Sequence, residues 1–214
     1  AGFSTPSNGN QAITATVTAP NINVTTNLNV GDDLQLAVGS SLQSVPPAPV
    51  DVTLTSSDPS VFIVSNDATV AGTSSISYTG IVNTTIGTFY IQGLSQGSAT
   101  LTISAPGYTS VIRTVNIHPS GFVMQANNFS TTTFANNSNV LLRSYRLTPT
   151  TLTLSQVQGI RGGLTVDVPL TSSDTNVGTI AASPVNFASN INAVNGQFDP
   201  TNAGTTELAI SQPL

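Results

Sequence analysis

The chain has 214 residues, a mass of 21.8 kDa and a formal net charge of −5, from four Arg, eight Asp, one Glu, one His and no Lys. Charged residues make up 6% of it, where roughly 25% is usual, so the clustered Lys and Arg that bind nucleic-acid phosphates or an anionic membrane surface are excluded. Cys is absent, which removes disulfides, thiol nucleophiles and thiolate metal sites, and without Lys no Lys–Asn isopeptide cross-link can form.

Apolar residues are 38% and the mean hydropathy is +0.16, enough for a packed core. No apolar run approaches the roughly 20 residues that a membrane-spanning helix needs, so no membrane insertion is expected. The sequence opens at Ala1 without Met, which reads as a cleaved signal or a piece of a longer chain.

In chain order, residues 13–19 come first: Ile13, Ala15, Val17 and Ala19 alternate with Thr14, Thr16 and Thr18. Period-two alternation with Thr on the wet face marks a half-buried antiparallel strand. Further strands are predicted at 21–26, 34–38, 50–55, 61–65, 75–79, 87–92, 99–104, 111–118, 140–147, 152–154, 164–170, 177–181 and 206–211. Pro46-Pro47, Asp58-Pro59, Pro106-Gly107, Pro119-Ser120-Gly121 and Gly162-Gly163 punctuate them. Helical spacing never persists, and the helix formers Glu and Lys are nearly missing. Many short strands with frequent turn signals predict an all-β fold of sandwiches. The strand phase puts Leu54, Val61, Leu101, Ile103, Val168, Leu170, Leu208 and Ile210 in the core.

Two windows repeat in the same order. VDVTLTSSDPSV at 50–61 faces VDVPLTSSDTNV at 166–177, and GSATLTISAP at 97–106 faces GTTELAISQP at 204–213. The spacing differs by a short loop, and two homologous units of about 100 residues are the simplest reading. These phrases, with TFYIQGLSQGSATLTISAPGYTS in the first unit and RGGLTVDVPLTSSDTNVGTI in the second, resemble tandem immunoglobulin-like (Big-type) repeats of bacterial extracellular proteins. The resemblance implies tandem immunoglobulin-like sandwiches serving as stalks, fibres, spacers or adhesin modules, mostly without catalysis; fold analogy does not choose among these.

The expected organisation is an N-terminal donor or closing strand segment at 1–20, a first immunoglobulin-like domain at 21–119 and a second at 120–214, joined near 119–121. The first copy continues past Ile103 into a last strand at 111–118, whereas the second reaches Ile210 and Pro213 with no counterpart. Residues 1–20 supply the absent Gly-aromatic turn and strand. The expectation is a last sandwich completed by a strand from a neighbouring unit, with Ile13, Ala15 and Val17 meeting the sheet of Leu208 and Ile210. The implied partners are copies of the chain or adjacent repeats, head to tail.

Chemistry-bearing residues are few. His118 precedes Pro119 at a strand end, no GxSxG elbow occurs, and a solvated or capping His is the reading against a triad. Glu207 lies on the wet face of its strand, with no second poised acid for glycoside chemistry. With one His and no Cys, calcium is the metal class left. Its candidate ligands are Asp32 and Asp33, Asn66 and Asp67, or Asn195, Asp199 and Asn202 in the stretch NGQFDPTN read as a loop. Asx turns compete with that reading, above all for Asp58 and Asp174 at equivalent positions of the two copies. Phe89, Tyr90, Phe129 and Phe134 are read as core or interdomain packing rather than a sugar platform. Asn23, Asn83, Asn128 and Asn136 lie in N-x-S/T sequons. The functional expectation is a non-enzymatic structural unit of an extracellular filament, sheath or stalk, with no cofactor; a cell-surface adhesin or carbohydrate-binding module is the alternative.

Overall fold

A computed structural model describes residues 2–7, 9 and 12–213, and among these no helix forms. The strands of the first half are β1 (Ile22–Val24), β2 (Leu28–Gly31), β3 (Leu34–Leu42), β4 (Val50–Ser56), β5 (Phe62–Ser65), β6 (Ser75–Ile81), β7 (Thr85–Gly93), β8 (Gly97–Ser104) and β9 (Val111–His118). Those of the second half are β10 (Ser120–Met124), β11 (Ser138–Leu147), β12 (Leu154–Val157), β13 (Gly159–Ile160), β14 (Val166–Val168), β15 (Leu170–Ser172), β16 (Gly178–Ile180), β17 (Val185–Phe187), β18 (Ala193–Pro200) and β19 (Leu208–Ile210).

The first half is two facing sheets around one core. One layer runs β1-β3-β7-β5 and the other β2-β9-β8-β4-β6. All its ladders are antiparallel except β2 with β9, which is parallel, Leu28 opposite Val115 and Val30 opposite Ile117, and an isolated parallel bridge joins Asn21 to Thr109. Alternation fills the core: on β8, Ala99, Leu101 and Ile103 are buried while Thr100 and Thr102 stay partly wet. Phe62, Phe89, Leu54 and Leu28 close the centre. The layers come close where Gly93 meets Gly31; a Cβ at Gly93 would lie 2.5 Å from the Gly31 carbonyl oxygen.

The second core lies between the sheet β10-β11-β18-β16, with β12 on the edge of β11, and two short ladders, β14-β17 and β15-β19. Val140, Leu142, Val168, Leu170, Phe187 and Phe198 are buried there. Phe122 stacks edge-on against Phe187 with ring centres 4.9 Å apart.

The matching sequence windows pair in matching registers. Leu54 pairs with Ile103 and Ser56 with Leu101 in the first half; at the matching positions of the second, Leu170 pairs with Ile210 and Ser172 with Leu208. Leu54, Leu101, Ile103, Val168 and Leu170 are buried, and Val61, Leu208 and Ile210 pack partly buried against the cores.

Several sequence expectations are corrected. Residues 12–19 carry the cleanest alternation yet lie exposed and outside every ladder; periodicity gives a segment its two faces but does not give it a neighbour. The stretch 195–200 is not a loop but most of β18, with Gly196, Phe198 and Pro200 turned inward; its Asn, Gly, Asp and Pro content hid the alternation. Leu152 sits in a turn at φ 52°, so β12 starts only at Leu154. Pro119 is the whole break between β9 and β10. Phe134, expected to pack, is 98% exposed.

Leu101 and Leu208 occupy equivalent ladder positions in different surroundings, one fully and one half buried. Leu101→Ala is expected to cost about 3–5 kcal/mol by cavity formation and Leu208→Ala about 1–2 in the unassembled chain. Urea unfolding monitored by circular dichroism checks the ratio; equal losses would contradict this account of the two cores.

Candidate functional site

Two places in the fold depart from simple sandwich packing: the seam between the halves, and the outer edge of β19.

At the seam the chain leaves β12 and crosses to the first half. The side chain of Gln158, 4% exposed, acts as a piece of strand. Its Oε1 accepts the Gly31 N–H at 2.8 Å and its Nε2 donates to the Asn29 carbonyl at 2.9 Å, closing the edge of β2 that β9 leaves open. Ser144 Oγ holds the Gln158 carbonyl at 2.6 Å. The next two residues form β13, antiparallel to β3, with Gly159 opposite Gln35 and Ile160 opposite Leu34. One sheet of the first half therefore runs into the second, and Leu34 packs in the second core beside Ile160.

Gln35, 5% exposed, donates from Nε2 to the Ala68 carbonyl and to Asn190 Oδ1, and its Oε1 accepts the Gly162 N–H at 3.1 Å. Gln92, fully buried, accepts the Gly72 N–H at 2.8 Å and donates to the Val70 carbonyl at 2.9 Å. Gly162 has to be glycine for this approach, since a Cβ there would stand 2.2 Å from the Val70 carbonyl oxygen. Arg161 pairs with Asp33 at 2.8 Å, and its N–H reaches the Asp33 carbonyl at 3.0 Å. Ser120 Oγ donates to the Asp32 carbonyl at 2.6 Å. Sequence reading missed all three glutamines; the usable signal is a Gln at an apolar position, as in Leu34-Gln35-Leu36 and Ile91-Gln92.

Electrostatics at the seam is sparse. His118 Nε2 lies 3.2 Å from Asn29 Oδ1. Burial, and then the cation of Arg146, hold its pKa below the ordinary 6.5. Burial raises the Asp32 carboxyl above 3.8, helped by its neighbour Asp33.

The calcium candidates are placed apart. Asp32 and Asp33 form the turn from β2 to β3, with Asp33 engaged by Arg161, whereas Asp199 lies within β18 opposite Thr179. No three acidic or imidazole groups converge among the described residues. Asp58, Asp67 and Asp174 each cap their own turn, accepting the N–H of Ser60, Thr69 and Asn176 respectively.

The second place is β19. In the first half the equivalent strand, β8, lies between β4 and β9. Among the described residues β19 pairs with β15 alone. Glu207 and Ser211 bond toward Ser173 and Pro169, so strand alternation points the peptide groups of Leu208 and Ile210 the other way, where β9 would stand. Beside them opens a cleft of about 560 Å³, with Thr206 and Leu208 on one wall, Ala126, Asn128 and Phe129 on the other and Val140 between. Phe129 stacks edge-on over Phe198 at 6.1 Å. Ile13 and Val17 are 85% and 94% exposed, and Ala15 is exposed with them.

Gln35→Ala leaves the Gly162 N–H and the Ala68 carbonyl unpaired and is expected to cost about 1–3 kcal/mol. Combined with Gln158→Ala, it should split a single urea transition into two, as the halves lose their coupling. Circular dichroism against near-ultraviolet absorbance checks this; coincident transitions in the double variant would contradict a coupling seam.

For pH, the sign follows from His118 binding protons less readily folded than unfolded. Stability should fall as pH drops through about 6.5 and level off below the depressed folded value. Asp32, raised in the fold, works the other way and contributes below its raised value. His118→Gln should remove the loss near neutrality; chemical denaturation from pH 8 to 5 measures it, and an unchanged slope would contradict the assignment.

No protein-family model matches the chain, and no curated protein is detectably similar to it.

Proposed function

We propose that the chain is a non-enzymatic structural repeat unit of an extracellular filament, sheath or stalk. In this reading it consists of tandem immunoglobulin-like sandwiches that join head to tail by β-strand complementation. One observation carries it: among the described residues β19 has on its outer side no counterpart of the strand that β9 supplies to β8, while residues 12–19 stand exposed and outside every ladder, with one apolar face. A sheet edge with free peptide groups and an apolar flank needs a strand. An extended segment with Ile13, Ala15 and Val17 on one side offers one. The donor and acceptor patches are different surfaces of the unit, so the contact is heterologous and propagates as a line.

The seam supports the same reading. A unit whose two halves share a sheet through β13 and β3 and a set of buried amides has a continuous hydrogen-bonded connection along which load would pass. The composition supports it too. One His, held by Asn29, and neither Cys nor Lys leave little nucleophilic or acid–base chemistry. Thr- and Ser-rich wet faces suit a surface exposed to solvent along its length.

The test is the mass distribution of the full chain by light scattering, with negative-stain electron microscopy. Linear oligomers growing with concentration are expected. The full-length Ile13→Asp, Val17→Asp variant should remain monomeric and folded by circular dichroism. A wild-type chain that stays monomeric at millimolar concentration, or a variant that polymerises as well as wild type, overturns the proposal.

A further inference from the structure

We propose that the strand of a second copy is not added to the edge of β19 but clasped on two sides, running antiparallel to β19 and parallel to residues 126–129, which become a strand on its entry. The inference rests on the head-to-tail reading above and specifies its acceptor.

The first half shows the arrangement already filled. There β9 lies between β8, antiparallel, and β2, parallel. It buries Val115 and Ile117, and Leu28 and Val30 of β2 are buried alongside. In the second half β10 takes the place of β1: each is the first strand, each pairs antiparallel with the next long strand, and Ile22 and Phe122 both face the core. The residues after β10 should then make the counterpart of β2. Among the described residues no ladder includes 125–137. Residues 126–129 instead form the wall of the 560 Å³ cleft that faces Thr205, Thr206 and Leu208. Phe129 on Phe198 holds that wall at a distance from β19 rather than against it. The cleft is thus the place of a missing strand with both of its neighbours present.

The register follows from two alignments. Phe122 lies five positions after Ile117 and Ile22 five after Val17, so Val17, Ala15 and Ile13 correspond to Ile117, Val115 and Arg113. In the first half Gly97, Ala99 and Leu101 face Ile117, Val115 and Arg113. The repeat carries these to Gly204, Thr206 and Leu208. Val17 of the second copy then lies opposite Gly204, Ala15 opposite Thr206 and Ile13 opposite Leu208. Small Ala15 meets Thr206, whose hydroxyl is already held by Ser172 and by the Asp174 N–H. Large Ile13 meets Leu208, the half-buried apolar side chain of the open edge.

A strand held on one edge exchanges readily, whereas one inserted between two neighbours leaves only by breaking two ladders. Hydrogen exchange by NMR separates the two, comparing assembled full chain with the Ile13→Asp, Val17→Asp variant. Two-sided insertion predicts that the amides of Leu208 and Ile210 and those within 127–129 slow together by about 100-fold or more on assembly. Protection of Leu208 and Ile210 alone overturns the two-sided insertion and leaves the head-to-tail reading standing. Assembly with protection at neither place, or no assembly at all, overturns both.

Discussion

Every peptide N–H and C=O that leaves water needs a partner, and in this chain the partners are almost all uncharged. With 6% charged residues and no Lys, charged side chains are too few to fill the gaps in the ladders, the Arg161–Asp33 pair at the seam apart. The fold therefore depends on strands finding strands, and where a strand falls short, on amide and hydroxyl side chains doing the work of backbone. Gln158 closes the free edge of β2 in this way, and Gln35 and Gln92 knit the loops around 68–72 to the second half. At β19 the same requirement has no answer among the described residues, and the proposed assembly follows from that single deficit.

The two places are related. Because β13 extends the β3 sheet and Leu34 sits in the second core, the half that follows the exposed segment 12–19 and the half that carries the cleft beside β19 are joined through that seam. Strand complementation between such bodies would give a line of units in which each joint is a β-ladder. Buried amide networks contribute little net stability when complete and cost heavily when broken, so the seam specifies one arrangement of the halves more than it strengthens either.

Much of the fold was legible in the sequence. Thr alternation located β8, and the repeated VDV-LTSSD phrase located β4 and the stretch of β14 and β15 with their turn-capping aspartates. The strands that were not foreseen have a common cause. β2, β10, β13 and β17 are two to five residues long, too short to show a period, and β18 is built from residues that usually make turns. Their conformation is imposed by neighbours, which a local pattern does not contain. The site was legible in the same uneven way. The open edge appeared as a missing counterpart to 111–118, because repeats can be compared. The seam did not, because Gln35, Gln92 and Gln158 have meaning only beside Gly162, Gly72 and Gly31. Asp32 and Asp33, read as ligand candidates, lie at that seam, with Asp33 serving Arg161.

The most direct test of the account is electron cryomicroscopy of assembled full chain at a resolution that separates strands. The account predicts a strand beside β19, on the side away from β15, continuous with β1 of the neighbouring unit and carrying Ile13, Ala15 and Val17 inward. A bare β19 edge in the assembly, or one covered by residues of its own unit, would contradict it.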